Sequence, residues 1–430
     1  MKKTITIVFL LFSIAIFELS AQADTSGLKI VNETAFDANA ATRQYLDTLS
    51  PEQKEKSDSY YEEGYWILLW DFAIDVLTAW IFLSLGLSNW IKRLASRAKN
   101  INIRNLLYIS IYLFTAVLIA FPNTFYSTYF REHSFGLSNM SLSEWFSEEL
   151  IQTGLVLFFG SFLIMLIYLT MRKTGGRWWI WGSGIVIIFL IISVYIAPVF
   201  ISPLFNEYTP LEESTIRDEI LSLAAENNIP VTDIYQFNAS KQTTTISANV
   251  SGIGSTIRIS LNDNLLNRCT PAEIKSVMAH EMGHYVLNHT YKLIIYFSIY
   301  IIIGFALINL FLKKGISRFG KKWGIETISD ISSLPLFAII FSTFLFITTP
   351  VVNNISRIIE AEADIFGLNA GKEPDGFAST AMKLSEYRKI DPTRLEEIIF
   401  YDHPSGKARV VMAMKWKAEH LNPKKAELSN

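Results

Sequence analysis

Apolar residues along this chain gather into long blocks separated by shorter charged stretches. After Lys2 and Lys3 comes an apolar run over 5–17, followed by Ala21-Gln22-Ala23, an A-x-A pattern of the kind that marks signal cleavage. Residues 1–23 therefore read as a secretory signal or, equally well, as a first transmembrane helix. Residues 24–65 form a polar, acidic segment with Glu52, Glu55, Asp58, Glu62 and Glu63. Within 66–200, the runs at 66–90, 105–121, 150–171 and 178–199 are each long enough to cross a bilayer as a helix. Trp and Tyr stand at several run ends, where interfacial anchors belong. Residues 201–291 read as a soluble α+β domain, with helical spacing over 212–227 and three short strands at 233–238, 243–252 and 256–262. Two further spans, 293–312 and 334–352, lie within 292–352, and 353–430 is a charged, helical C-terminal domain. The pattern predicts a mainly α, polytopic membrane protein with seven apolar helices, counting the first, and a small α+β domain.

Composition agrees with that pattern. Half of the 430 residues are hydrophobic and 18% are charged, against about 25% charged in soluble proteins. A net charge of −2 leaves no basic surplus for nucleic acid. The single cysteine, Cys269, excludes an internal disulfide and a Cys-rich zinc site and reads as a small buried residue. Loop charges supply an orientation. Lys92, Arg93, Arg97, Lys99 and Arg104 follow the first long run, Arg172, Lys173 and Arg177 the third, and Lys313, Lys314, Arg318, Lys321 and Lys322 the fifth. By span counting these loops share the side of Lys2 and Lys3, which the positive-inside rule makes cytoplasmic, so the 201–291 domain and the C-terminus face the non-cytoplasmic side.

The chemistry concentrates at His280-Glu281-Met282-Gly283-His284. With 6 histidines in the chain, an H-E-x-x-H is expected by chance about 0.005 times, so the motif is read as a site. Thr270-Pro271-Ala272-Glu273 is a capping box with proline at the first helical position, which predicts a helix carrying His280 and His284 on one face. Two imidazoles one turn apart can reach one zinc ion, and Glu281 is placed to take a proton from zinc-activated water. A third protein ligand is needed. His289, five residues past His284, lies off the ligand face of a continuous helix. Glu360 and Asp364 share a face of the helix that extends the last span: one can bind metal while the other orients an imidazole, and Glu362 points elsewhere. His403-Pro404 and Arg409 are further polar candidates. Asp71 and Asp75, near one end of the first long run, are either functional or interfacial.

These residues resemble the type I CAAX prenyl endopeptidase family of multi-spanning zinc metalloproteases, with HtpX-like proteases as more distant relatives. Beyond the H-E-x-x-H, Ile196-Ala197-Pro198, the stretch from Ser202-Pro203-Leu204-Phe205 to Thr209-Pro210-Leu211, and Phe130-Arg131-Glu132-His133-Ser134-Phe135-Gly136 are similar to family segments. So are Ser240-Lys241, Gly252, Arg258, Asp263, Leu265 and Leu266, and the likeness covers residues 57–420. The resemblance implies His280, His284 and Glu360 as ligands of one Zn²⁺, Glu281 as general base and Asp364 as partner of a ligand imidazole. It gives His403 and Arg409 roles in holding substrate or the oxyanion. It further implies a gluzincin-type metalloprotease domain, seven helices around a water-filled chamber, and an extended substrate pairing with a strand at Ser247, Ala248 and Asn249. Where the family reads S-N-A-Y, this chain has Ile246-Ser247-Ala248-Asn249, so Ser247 replaces an asparagine amide.

The expected function is that of an integral-membrane zinc endopeptidase processing the C-termini of prenylated peptides. Its partners are a peptide or protein substrate and the lipid bilayer. The rival reading is a general membrane or envelope quality-control protease that needs no prenyl group. A transporter and a non-catalytic chaperone are the readings from other classes.

Overall fold

The structure, a computed structural model, describes residues 36–231, 233–252 and 257–421. The signal or first-helix reading of 1–23 lies outside them. Helix α1 spans Ala38–Leu46, and α2, Pro51–Ser84, begins at a capping box in which Ser50 and Gln53 satisfy each other's main-chain N–H groups. The acid-rich stretch from Glu52 to Glu63 forms the first turns of α2, so one helix of 34 residues runs from a polar into an apolar sequence. Helices α3 (Leu87–Ala95), α4 (Ile101–Phe125), α5 (Leu142–Thr174) and α6 (Trp178–Ile196) follow.

After strand β1 (Tyr208–Pro210) and α7 (Thr215–Glu226) come β2 (Ile234–Phe237), β3 (Ala248–Ser251) and β4 (Arg258–Asn262). The chain then enters α8 (Pro271–Val286), α9 (His289–Trp323), α10 (Leu334–Gly371), α11 (Pro374–Leu384), α12 (Arg394–Phe400) and α13 (Gly406–His420). Residues Ala38–Leu421 form one compact unit.

Among the described residues, five segments are long and apolar enough to span a membrane: Pro51–Ser84, Ile101–Ser134, Leu142–Leu204, His289–Trp323 and Ile331–Gly371. The third, 63 residues long, folds at Gly175–Arg177 into α5 and α6, which pack on each other. The protein is therefore multi-pass. Its bundle is tied by neutral polar groups. Ser88 Oγ lies 2.7 Å from Tyr108 Oη and donates to Ser332 O, Tyr168 Oη lies 2.8 Å from Ser333 Oγ, and Trp178 Nε1 donates to Asn309 Oδ1 at 2.8 Å. Such bonds hold helices together where lipid removes the hydrophobic drive for helix association.

The sheet has the order β1-β2-β4-β3, with β2 and β4 parallel and both outer pairings antiparallel. Ile234, Ile259 and Leu261 from the sheet pack on Ile220, Leu223, Ile274, Met278 and Met282 from the helices, forming a second core separate from the bundle's. The polar start of α2 is clasped by the C-terminal helices. Tyr65 stacks on Phe400 at 3.8 Å, Tyr61 lies against Tyr401 at 4.6 Å, and Lys389 Nζ bridges Glu62 and Glu396 at 2.6 and 2.9 Å.

Candidate metal centre

Helix α8 starts where the sequence predicts. Thr270 N donates to Glu273 Oε2 at 2.7 Å, and the Thr270 side chain caps the Glu273 N–H in return. Glu273 is buried, and Lys383 on α11 neutralises it at 2.7 Å. Helix α10 crosses α8 at a row of small residues. A Cβ added at Gly367 would lie 3.0 Å from the main chain of His280, and one at Gly283 would lie 3.3 Å from Ala363 Cα. The lack of side chains there is what lets the two backbones approach closely enough for their polar residues to meet.

At this crossing His280, His284 and Glu360 each offer one ligand atom, all within 4.8 Å of one another. Glu360 Oε2 lies 3.3 Å from His280 Nε2, Glu360 Oε1 lies 3.5 Å from His284 Nε2, and the two Nε2 atoms are 3.1 Å apart. Two imidazole nitrogens and a carboxylate oxygen converging on one point are a donor set suited to a divalent zinc ion, the ligand chemistry of a three-residue catalytic site. Asp364 is fully buried. Its Oδ1 makes a close ionic contact with His280 Nδ1 at 2.8 Å rather than an aligned hydrogen bond, and its Oδ2 accepts from Arg409 Nε at 2.8 Å. Arg409 Nη2 also reaches Glu360 Oε2 at 3.4 Å. His403 Nε2 lies 3.3 Å from the same oxygen, and its Nδ1 lies 2.7 Å from Asp402.

Electrostatics separates the three motif residues. Burial pushes the Glu281 carboxyl up to about 7, with the Glu360 charge adding to it. Burial and the neighbouring His280 charge push His284 down to about 4. Burial also disfavours the His280 cation, but the Asp364 and Glu360 carboxylates on its two nitrogens outweigh this and lift it to about 10.

A cavity of about 220 Å³ opens beside Glu281 and His280, with Ser247, Ala248, His403 and Arg409 on its walls. Asn249 is not on that wall and pairs with Ser260 in the sheet. Asn262 takes both main-chain groups of Ser247, its N–H through Oδ1 at 3.1 Å and its C=O through the Asn262 N–H at 2.9 Å. Antiparallel alternation then turns the main-chain groups of Ala248 toward the open edge of β3.

Two residues set aside on the helical-wheel argument belong to this cluster. His289 Nδ1 lies 2.9 Å from His284 Nδ1, and His289 Nε2 lies 3.2 Å from Glu362 Oε2. The reason is a break between α8 and α9. Asn288 takes a left-handed φ of +57°, which asparagine tolerates, so His289 starts a new helix folded back against His284. An asparagine just before a histidine was the signal available in the sequence.

The profile described as peptidase family M48 matches residues 210–417. The profile described as the CAAX prenyl protease N-terminal region, five membrane helices, matches 37–207. An uncharacterized metalloprotease, YhfN of Bacillus subtilis, is 30% identical over 283 residues, 65% of this chain and 66% of that protein. The chain thus spans just under two thirds of that relative's length. A CAAX prenyl protease 1 homolog of Arabidopsis thaliana is 25% identical over 385 residues, 86% of this chain and 89% of its own. The fold resembles the crystal structure of S. mikatae Ste24p with a TM-score of 0.71 at 22% identity, covering 94% of this chain and 97% of the other. With both profiles side by side along the same chain, the protein belongs to peptidase family M48, in its CAAX prenyl protease type.

Proposed function

We propose that this protein is an integral-membrane zinc endopeptidase that cleaves extended peptides, with C-terminally prenylated peptides as its substrate class. The observation that carries this reading is the convergence of His280, His284 and Glu360 beside Glu281, which is half-buried on the cavity wall. His280, His284 and Glu360 would hold one zinc ion, which when bound acts as a Lewis acid on water and on the scissile carbonyl. Glu281, whose carboxyl is poised near neutrality at about 7, accepts the proton of the attacking water and delivers it to the departing amine. His403, held by Asp402 on the cavity wall, donates to the oxygen that gains charge. Arg409 is buried and bonded to both Asp364 and Glu360, so its part is to hold those acids in place rather than to touch substrate.

An extended substrate adds to the free edge of β3 through the main chain of Ala248, with Ser247 shaping the cavity wall. Sequence-tolerant recognition follows, because main-chain hydrogen bonds are the same for every residue. We read the helices as a seven-member cage, counting residues 1–23, around a chamber that delivers substrate to a gluzincin-type catalytic domain, with the segment boundaries given under Sequence analysis. The loop charges favour a catalytic domain on the non-cytoplasmic side, and that orientation supports the second reading, an envelope protease without need of a prenyl group.

One peptide made in farnesylated and plain forms distinguishes the two in detergent. Chelator-sensitive cleavage of the farnesylated form alone is the expected result. Equal cleavage of both selects the general protease, and cleavage of neither removes the peptidase reading.

A further inference from the structure

His284 enters the donor set with one ring nitrogen. Its Nε2 faces Glu360 Oε1 and His280 Nε2, so Nε2 is the nitrogen available to a metal. A neutral imidazole that binds metal through Nε2 keeps its proton on Nδ1. That Nδ1–H points to His289 Nδ1 at 2.9 Å, which must then be a bare acceptor. His289 is left with its proton on Nε2, and it donates to Glu362 Oε2 at 3.2 Å. Each choice fixes the next.

The far end is also held. Glu362 pairs with Lys292 Nζ at 2.5 Å, which holds the carboxylate facing the ring. His289 is 1% exposed, so water does not compete for its Nδ1, whereas Glu362 is half open to solvent. The first imidazole has a counterpart to this arrangement, since Asp364 stands on His280 Nδ1 with Arg409 behind it. Both motif histidines thus have an acid-and-cation support on the nitrogen away from the metal, one direct and one passed through a second imidazole.

We infer that Glu362 and His289 are positioning residues that fix the tautomer and ring orientation of His284 and thereby set how tightly zinc is retained. Neither touches substrate or metal. The inference rests on reading the centre as a zinc site.

The test is zinc affinity of the detergent-purified full chain, measured by competition with a chromophoric chelator, alongside the melting temperature of the metal-stripped protein. His289→Leu should weaken zinc binding about 10- to 100-fold, the usual effect of losing such a support. His289→Asn, whose Oδ1 can still accept the His284 proton, should recover most of that loss. Glu362→Ala should weaken zinc binding without lowering the melting temperature of the stripped protein, and adding it to His289→Leu should cost nothing more. Wild-type affinity in Glu362→Ala or in folded His289→Leu would overturn the relay, as would full additivity of the pair. The asparagine and Glu362 variants keep the test decisive if the leucine variant does not fold. Wild-type protein that binds no zinc would sink the metal-centre reading itself, and the two failures are told apart by that control.

Discussion

The membrane bundle and the α+β domain both bury an apolar core, but only the bundle also carries large apolar side chains on its outside. In the bundle large apolar side chains fill a core, with Phe82, Tyr168 and Trp178 buried, and also cover the outside, with Phe158 70% exposed and Phe200 66%, because the solvent there is lipid. In the catalytic domain Ile259, Leu261 and Met278 are fully buried, because the solvent is water. The polar groups differ in kind. Hydroxyls such as those of Ser88, Tyr108 and Ser333 lie inside the bundle, while the domain keeps Glu273, Asp364 and Arg409 inside, each paired with opposite charge. An apolar run therefore reports both the surroundings and the core in one region and the core alone in the other. Stability in the first rests on neutral hydrogen bonds and close helix contacts, and in the second on water exclusion around compensated charges.

The largest effect is expected at Glu281, on the cavity wall beside the donor set. Glu281→Gln should lower kcat about 100- to 10,000-fold while zinc content and melting temperature hold, since the amide keeps the shape and loses the proton acceptor. Turnover close to wild type would remove Glu281 from the mechanism. One glycine substitution in each region sharpens the contrast. Gly367→Ala should destabilise the protein by about 1–3 kcal/mol and loosen zinc, because the new methyl would press on the His280 main chain. Gly154→Ala on α5 meets nothing within 4 Å and should be neutral or stabilising by up to about 1 kcal/mol, the helix-propensity gain.

A pH series breaks the comparison along its electrostatic line. The folded state raises His280 from 6.5 to about 10, a contribution fully present below pH 6.5 and lost as pH climbs toward 10. It raises Glu281 from 4.5 to about 7, so stability declines there as pH rises through that interval. His284, lowered from 6.5 to about 4, works in the other direction, costing stability as pH falls through that window. The opposing slopes meet between pH 4.5 and 6.5, and above 6.5 only decline remains. Metal-stripped protein should melt at steadily lower temperature from pH 6.5 to 10, with a shallower slope once zinc is added. A flat profile for the stripped protein would contradict the coupling. The smallest effect belongs to the bundle. Ser333→Ala removes the partner of the Tyr168 hydroxyl and should cost about 0.6 kcal/mol in unfolding from detergent.

What the sequence made legible was local. The capping box at Thr270 and the four-residue spacing of His280 and His284 are properties of one helix, and both appear as read. Spacing alone left Glu360 and Asp364 interchangeable, since their division depends on where α8 crosses α10. Strand β1 went unread because three residues ending in Pro210 carry no alternation. The acid-rich stretch before residue 66 looked like a separate segment because polarity tracks the solvent and not the helix, and α2 passes through both. Asp71 and Asp75 stayed ambiguous because their partners, Asn123 and Ser342, lie on other helices. His289 was hidden by a single left-handed residue, Asn288, that resets the helical phase.

The clasp between α2 and the C-terminal helices has a consequence for the order of synthesis. Glu62 and Lys389 are separated by 327 positions, and Arg409 meets Asp364 from still further down the chain. Such contacts form only after their later partner has been laid down. While the ribosome is still at work, the watery end of α2 lacks Phe400 and Tyr401, and Glu360 and Asp364 of α10 lack their arginine. The setting of the centre is thus completed only once α13 is in place. Up to that point the donor set on α8 and α10 stands without the cation that compensates its acids.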